Sequence, residues 1–291
     1  MSKLSEDDVK LFYKLMHTLL YYANKKFNII KNVSTKEDFF KRDIEETVPL
    51  RDKIYKNPQV FDNFANDNLE NFNKDELDII LSWKKFKQGE FFLAKYTKEF
   101  SVFYDEKEKK AYGVLGISDS FEEMFSSHAP VLMRIVLLPF KEKITYEGIF
   151  LPYNIHFGGG IRKSMKMEVD EAIQKYGIIC SLNTAPEQKS NSDEEMMRFY
   201  MVSESSMERY WKEIGALKVK SKELEVVYHQ ELSRHSARAI KKNLKTNGIK
   251  GCFAVLGESV VASAASNKKL DDSLVDVVPK DKIGWVYRFK I

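Results

Sequence analysis

Cationic side chains gather near the end of the chain in a stretch without acids. No Asp or Glu occurs between Leu232 and Gly257. The cations in this stretch are Arg234, Arg238, Lys241, Lys242, Lys245 and Lys250. At about 100° per residue, four of them form one helical stripe (Arg234, Arg238, Lys241 and Lys245), with Lys242 beside it and the apolar Ala237, Ile240 and Leu244 roughly opposite. Such a stripe is typical of a phosphate contact in nucleic acid, of a contact with an acidic protein or membrane surface, or of a solvated helix whose cations complement its dipole.

A glycine run between a predicted strand and a predicted helix is the second candidate site. Gly158, Gly159 and Gly160 are followed by Arg162, Lys163 and Ser164. Glycine lets a backbone approach a ligand closely, and the free amides of a helix start attract anions. The run therefore indicates either an anion-binding turn for a phosphate-bearing ligand, such as a nucleotide or coenzyme A, or a purely structural turn. Its spacing matches neither the G-x-x-x-x-G-K-[ST] loop nor the G-x-G-x-x-G motif.

The order of elements from residue 157 to residue 228 resembles the acetyl-coenzyme A binding half of an N-acetyltransferase. The glycine run is followed by a predicted helix, a strand at 177–182, the segment Glu208–Gly215 and a strand at 224–228. The resemblance implies that the glycine turn grips the pyrophosphate and that Tyr210 assists. The usual Gln/Arg-x-x-Gly-x-Gly/Ala pattern is not met, so no catalytic residue is assigned through the resemblance.

Histidines and cysteines show no spacing typical of a metal or catalytic site, and no metal or cofactor is expected. Only His156, just before the glycines, lies where acid–base work is conceivable, with a structural histidine as the alternative. Cys180 and Cys252 lie in apolar runs that favour buried thiols, with a bridge between them as the alternative. Most aromatic residues belong to predicted core faces, whereas four of them are a candidate stacking face for single-stranded nucleic acid. These four are Tyr96, Phe100, Phe103 and Tyr104.

The elements that must position these residues indicate an α+β protein. For residues 1–89 we expect a helical region, because capping residues precede apolar positions at helical spacing. The expected helix starts are Ser5, Ser34, Asn57-Pro58 and Asn73, with ends before Pro49 for the second helix and at Gly89 for the fourth. This region should pack on the small sheet that follows, either as a domain of its own or as part of one domain with it.

Residues 90–183 alternate in the way that strands do. They predict a small antiparallel β-sheet or barrel plus one helix at 163–176. The expected strands are 90–97, 100–104, 111–117, 131–138, 143–150 and 153–157.

A polar stretch, 184–193, predicts a linker to a basic α/β domain over 194–291. In that domain we expect helices capped by Ser192 and Ser205, with the second ending at Gly215, a strand at 224–228 and the basic helix at about 231–246. Strands at 249–256 and 283–291 should close the chain.

Composition bounds the function less than it bounds the fold. The 291 residues are 43% hydrophobic and 31% charged, which excludes a disordered chain, and the formal charge of +4 lies entirely in the last third. Acidic Glu6, Asp7 and Asp8 precede the first apolar stretch, and the longest apolar stretches are too short to span a bilayer. We therefore expect a cytoplasmic protein without a membrane span.

Two functional hypotheses follow from these residues. The first is a non-enzymatic binding or regulatory protein that contacts nucleic acid, or else an acidic protein surface, through the basic helix. The second is an enzyme or ligand-binding domain that holds a phosphate-bearing ligand at the glycine turn. No motif decides whether the protein is an enzyme, and none indicates its oligomeric state.

Overall fold

The protein has an α+β fold, and its computed structural model describes residues 2–126, 129–184 and 191–291. The chain divides into two compact units, Met1–Lys189 (unit 1) and Ser190–Ile291 (unit 2). Most of the predicted linker lies outside the described residues. The linker, and the assignment of separate domains on either side of it, therefore stay predictions.

Unit 1 begins with helices whose starts are fixed by side-chain caps. The Ser5 hydroxyl accepts the amide of Asp8, and Asn73 and Glu76 form a reciprocal capping box, as their spacing predicts. The helices are α1 (Glu6–Phe27), α2 (Lys36–Phe40), α3 (Ile44–Lys56), α4 (Gln59–Asp67) and α5 (Lys74–Ser82).

Three predicted helix boundaries in this region are wrong. Thr35, rather than Ser34, caps α2, and Pro49 lies inside α3 instead of ending a helix. Proline removes one backbone donor and disfavours a helix interior, but tertiary packing overrides this preference here. Leu50 and Ile54, on the far side of the proline, are both buried in the core. Gly89 does not end α5 either, because it lies within the first strand.

Five strands of unit 1 close into a barrel. They are β1 (Lys87–Tyr96), β2 (Ser101–Asp105), β3 (Lys110–Val114), β4 (Val131–Phe140) and β5 (Lys143–Pro152). The pairs β1–β2, β1–β4, β2–β3 and β4–β5 are antiparallel. β3 and β5 pair in parallel at Val114 and Ile144, which closes the ring.

The sheet is therefore mixed, not purely antiparallel as its hairpins suggested. The short helix α6 (Phe121–Phe125) carries the chain from β3 to β4, and β5 then returns alongside β3 in the same direction. The predicted strand at 153–157 does not form. The predicted strand at 177–182 forms over two residues as β6 (Ile178–Ile179), which adds a second parallel pair to β3.

One hydrophobic core fills the barrel and the space beneath the N-terminal helices. Its fully buried aromatic side chains include Phe12, Trp83, Phe103 and Phe140. On the outside of the barrel, α7 (Gly159–Tyr176) packs Met165 and Val169 against strands β2 and β3. The glycine run thus lies at the start of a helix that is fixed to the barrel.

Unit 2 places a three-stranded antiparallel sheet, in the order β8-β7-β9, between two helices. Its helices are α8 (Asp193–Tyr200), α9 (Glu204–Arg209), α10 (Trp211–Lys218), α11 (Lys222–Thr246) and α12 (Asn267–Val277). Its strands are β7 (Cys252–Leu256), β8 (Ser259–Ala264) and β9 (Tyr287–Lys290). α11 packs Ala237 against Phe253 and Val255, whereas α12 packs Leu270 and Leu274 on the other face of the sheet.

Several predicted elements of unit 2 differ from the structure. The predicted strand at 224–228 is part of the 25-residue helix α11, because Leu224 and Val227 are buried at helical spacing and Ser221 caps the helix. Ser203, rather than Ser205, caps α9, and Gly215 lies inside α10. β8 and α12 were not predicted. The capping box of Ser192 and Glu195 is confirmed. Of the helices in the described ranges, none is both long and apolar enough to cross a membrane.

Candidate functional site

Two of the four cations in the predicted stripe of α11 make contacts within unit 2. Arg234 Nη1 lies 3.1 Å from Oε2 of Glu231, whose side chain is only 2% exposed. Arg238 Nη1 donates to the carbonyl of Val202 at 3.2 Å. These two arginines therefore help to hold unit 2 together. The contact of the stripe with nucleic acid stays a prediction.

Glu231 has a second arginine on its other side. Arg198 Nη1, from α8, lies 2.5 Å from Oε1 of Glu231. Glu231 stands one turn before the stripe, just outside the acid-free stretch on which the sequence argument depended. The spacing of Glu231 and Arg234, three positions apart in one helix, allows this pairing to be predicted. The burial of Glu231 could not be predicted, because it depends on α8 packing over it.

The remaining cations form what we call the lysine patch, Lys241, Lys242, Lys245 and Lys250. The Lys241 ammonium lies 5.6 Å from the centre of the Phe289 ring, so the stripe borders the sheet-facing side of α11 and does not oppose it. Lys242, Lys245 and Lys250 are exposed. Within the described part of unit 2 they form no ion pair. The patch presents uncompensated positive charge on a helix that its packing makes rigid.

The glycine run forms the start of α7 and not a turn before it. Gly158 is the N-cap residue and Gly159 the first helical residue, four positions earlier than the predicted start at Lys163. None of the three glycines has a left-handed φ, and a Cβ on any of them would meet no protein atom within 4 Å. Neither the backbone conformation nor the packing of the described residues requires glycine here.

Two grooves flank Arg162, one turn into this helix. The first has a volume of about 270 Å³ and is lined by Tyr153, His156 and Phe157 among others. The second has a volume of about 260 Å³ and is lined mainly by α7, and both grooves include Pro130 and Arg162. Arg162 Nε donates to the carbonyl of Phe157 at 2.9 Å. The predicted neighbours Lys163 and Ser164 are exposed and line neither groove.

The order of elements in the structure does not match the N-acetyltransferase half that the sequence resembles. Its last strand, predicted at 224–228, is helical, and the segment around Tyr210 lies at a junction between α9 and α10. The helix after the glycine run and the strand that follows it do form, as α7 and β6, but the last strand that the resemblance requires is absent from the described residues.

The candidate stacking face is closed. Phe103 points into the core, and Tyr104 is fully buried beneath α7, where its hydroxyl donates to Glu168 at 3.2 Å. Five-stranded Greek-key barrels often bind oligonucleotides or oligosaccharides across strands 2 and 3. In this barrel α7 covers that face, so the prediction of an aromatic stacking platform is wrong.

Histidine and cysteine residues add little chemistry to these sites. His156 is exposed and lines the first groove. Cys252 is buried, as expected, whereas Cys180 is exposed, and both are free thiols. The described ranges contain no group of three His, Cys, Asp or Glu side chains that is arranged to hold a metal ion. Ser127 and His128, a serine and a histidine that are neighbours in the sequence, lie outside the described residues.

Sequence reasoning missed a buried ion pair in unit 1, formed by Arg51 of α3 and Glu147 of β5. The one available signal was an acid inside the apolar strand Lys143–Pro152. A strand pattern shows that such a side chain shares a face with its apolar neighbours, but it does not show what covers that face.

Comparisons with known proteins give no information about the function of this chain. No protein-family model matches the chain, and neither curated proteins nor solved structures yield a match. Function is therefore argued from the sites described above.

Proposed function

We propose that the protein is a binding protein whose unit 2 contacts the phosphate backbone of nucleic acid through the lysine patch. The observation that carries the proposal is a set of four lysines at one end of α11 and in the loop after it, unmatched by acids in that stretch. Lysine side chains on a rigid helix bind phosphates without reading base sequence. Arg238 stands beside the patch and adds charge, although its guanidinium is engaged by Val202.

The experiment is a salt titration of binding to a double-stranded DNA and to a single-stranded RNA of unrelated sequence. The test variant replaces Lys241, Lys242, Lys245 and Lys250 by Gln. For DNA, each lost phosphate contact removes about 0.9 from the log–log salt slope, so the full variant should lose up to about 3.6. Gln is a good helix former, so the helix should persist, as circular dichroism would verify.

A matched control separates the patch from net charge. Replacing Lys268, Lys269, Lys280 and Lys290 by Gln changes the charge by the same amount but leaves α11 untouched. The control should keep the wild-type salt slope. Equal losses in both variants would mean a non-local charge effect, and wild-type protein that fails to bind either nucleic acid at low salt would overturn the proposal in favour of an acidic protein partner.

A second candidate function is supported by the grooves beside Arg162. Three glycines that neither conformation nor packing requires, next to two grooves and a cation, fit a ligand with a phosphate and an apolar part. A nucleotide or coenzyme A has this chemistry. In this case unit 1, and not unit 2, is the ligand-binding part of the protein.

Substitution of one glycine tests the second candidate function, because stability and ligand binding should change in opposite directions. Gly159→Ala should stabilise α7 by at most about 0.5 kcal/mol, because alanine loses less backbone entropy in a helix but Gly159 is only its first residue. It should also weaken binding of coenzyme A or ATP, measured by calorimetry, because a Cβ then projects where the phosphate approaches. A more stable variant with unchanged ligand binding would show that the glycines have no part in recognition. Gly215→Ala, in α10, is the matched control.

A further inference from the structure

A bulge in β5 turns an acidic side chain towards the N-terminal helices. Ile135 and Leu137 of β4 pair with Phe150 and Tyr146, so three residues of β5 stand opposite one residue of β4. The bulge contains Glu147 and Gly148, and Gly148 has a φ of 99°, in the region that favours glycine. Bulges often re-aim a side chain at a functional site. Here the side chain that the bulge carries is Glu147.

Two polar atoms of the ion pair formed by Arg51 and Glu147 lack hydrogen-bond partners. Glu147 as a residue is 7% exposed, and its Oε2 lies 3.7 Å from Arg51 Nη1. Nη1 instead donates to the backbone carbonyl of Glu147 at 3.0 Å. Among the described residues, neither Oε2 of Glu147 nor Nε of Arg51 finds a hydrogen-bond partner. One buried acceptor and one buried donor are thus left side by side, and such groups call for an explanation.

Both side chains line a small recess on the outer face of the barrel. The recess has a volume of about 30 Å³ and opens between α3 and strands β4 and β5. That is room for about two waters, or for the end group of a larger molecule. Apolar side chains stand around it, with Leu151 47% exposed. The lining residues are Val48, Arg51, Asp52, Gln88, Arg134, Ile135, Val136, Glu147, Ile149 and Leu151.

The charges around the recess balance. Arg51 faces Glu147, and at the mouth Arg134 Nη2 lies 3.2 Å from Oδ1 of Asp52. Burial raises the pKa of Glu147, although Arg51 and the neighbouring Tyr55 hydroxyl oppose the rise. A charged ligand would lose its hydration here without meeting a net opposite charge, so the recess disfavours anions and cations alike. A neutral group that both donates and accepts matches it.

We propose that this recess binds the neutral polar end of a small molecule, a primary carboxamide or a hydroxyl. Its donor meets Oε2 of Glu147, its oxygen accepts from Nε of Arg51, and its apolar part lies against Ile149 and Leu151. This site is independent of the lysine patch and of the grooves beside Arg162, because none of their lining residues is shared.

The experiment compares three probes of one shape on the full chain. Isobutyramide, isobutyrate and isobutylammonium are titrated against isotope-labelled protein, and the signals of the Arg51 Nε–H and of the amides of residues 147–149 are followed by NMR. Isobutyramide should give saturable shifts at a concentration about tenfold lower than either charged probe, the factor that one lost hydrogen bond to a charged group is worth. Equal midpoints for all three probes, or no saturation by isobutyramide up to its solubility limit, would overturn the proposal.

A variant pair checks that the shifts report on this recess. Arg51→Lys keeps the charge but removes Nε–H, so isobutyramide should bind about tenfold more weakly. Arg42→Lys makes the same exchange in the turn between α2 and α3, outside the recess, and should bind like the wild type. Wild-type affinity in Arg51→Lys would contradict the assigned donor. If Arg51→Lys does not fold, the probe series on the wild-type protein still decides the question.

Discussion

Each of the two units buries a glutamate, and the surroundings of the two carboxylates differ. Glu231 of unit 2 lies between two arginines, Arg198 at 2.5 Å and Arg234 at 3.1 Å. Glu147 of unit 1 has a single arginine, whose Nη1 lies 3.7 Å from Oε2. Oε2 makes no hydrogen bond in either carboxylate, but in Glu231 a guanidinium nitrogen lies 3.1 Å from that oxygen. Both carboxylates are almost inaccessible to water, so the difference lies in their partners and not in their depth.

The comparison separates a carboxylate that serves the fold from one that is free to serve a ligand. Two charged donors compensate Glu231, so the cluster resists removal of its partners. Glu147 is under-compensated, and the fold tolerates this only because the rest of unit 1 is well packed. The same residue type at similar burial therefore has a structural role in unit 2 and a candidate binding role in unit 1.

The largest effect is expected from removing both partners of Glu231. Arg198→Gln or Arg234→Gln alone should lower the free energy of unfolding by about 1 kcal/mol, because the other arginine remains. The double variant leaves a buried unpaired carboxylate and should lose about 3–5 kcal/mol. Urea unfolding followed by the fluorescence of Trp211 and Trp285, both in unit 2, measures this. Strictly additive losses would mean that the two arginines do not share one buried charge.

Next in size is the effect of the bulge glycine in unit 1. Gly148→Ala forces a side chain into a left-handed backbone, with its Cβ about 4.0 Å from both terminal nitrogens of Arg51. We expect a loss of roughly 1–3 kcal/mol in the unfolding of unit 1, reported by Trp83. Gly89→Ala, in β1 with no positive φ, provides the control and should be far milder.

A smaller effect distinguishes the two carboxylates by pH. The raised pKa of Glu147 means that the folded state favours the protonated form. The stability that this group contributes is fully present below its ordinary pKa of 4.5 and is lost as the pH rises through the raised pKa. Relative to Glu147→Gln, wild-type unit 1 should therefore lose stability as the pH rises above about 4.5 and until it has passed the raised pKa, by about 1.4 kcal/mol per unit of pKa shift. A pH-independent difference between the two proteins in urea would contradict an under-compensated Glu147.

The smallest effect should come from the mouth of the recess. The ion pair of Asp52 and Arg134 is partly exposed on both sides, 35% and 46%. Asp52→Asn should change the free energy of unfolding by less than about 1 kcal/mol, since exposed pairs contribute little. A larger loss of unfolding free energy in the same urea titration would mean that Asp52 and Arg134 belong to the buried network of Arg51 and Glu147. Glu147 would then be better compensated, and more like Glu231, than we propose.

Sequence alone predicts the helix starts of this protein better than its helix ends. Caps at Ser5, Asn73 and Ser192 form as their spacing predicts, because a cap depends only on residues within one turn. Pro49 and Gly89 fail as stop signals, because long-range packing decides whether a local preference is obeyed. The alternating segment at 224–228 fails for the same reason, since Leu224 and Val227 also fit one face of a helix.

The candidate sites also divide into those that local sequence predicts and those that depend on contacts between distant segments. The lysine patch and the glycine run were found from composition, which needs no knowledge of neighbours. The contact of Arg198 with Glu231 and that of Arg238 with Val202 were not predictable, because they depend on α8 and the segment after it. The pairing of Arg234 with Glu231 was overlooked, although its i,i+3 spacing within one helix indicates it. The recess beside Glu147 was not predicted at all. The predicted helix ended before Pro49, so Arg51 was not placed on a helix that packs against Glu147.

The ring of five strands has a consequence for synthesis. The seam between β3 and β5 joins Val114 to Ile144, and β1 cannot gain its second neighbour until β4 exists. While the ribosome is still adding β4, the meander β1–β3 therefore has unpaired edges on both sides, the kind of surface that other nascent chains can join. Closure of the barrel must accordingly wait until residue 152 has emerged from the exit tunnel. Slow translation just before β4 would prolong the period in which chaperones are needed.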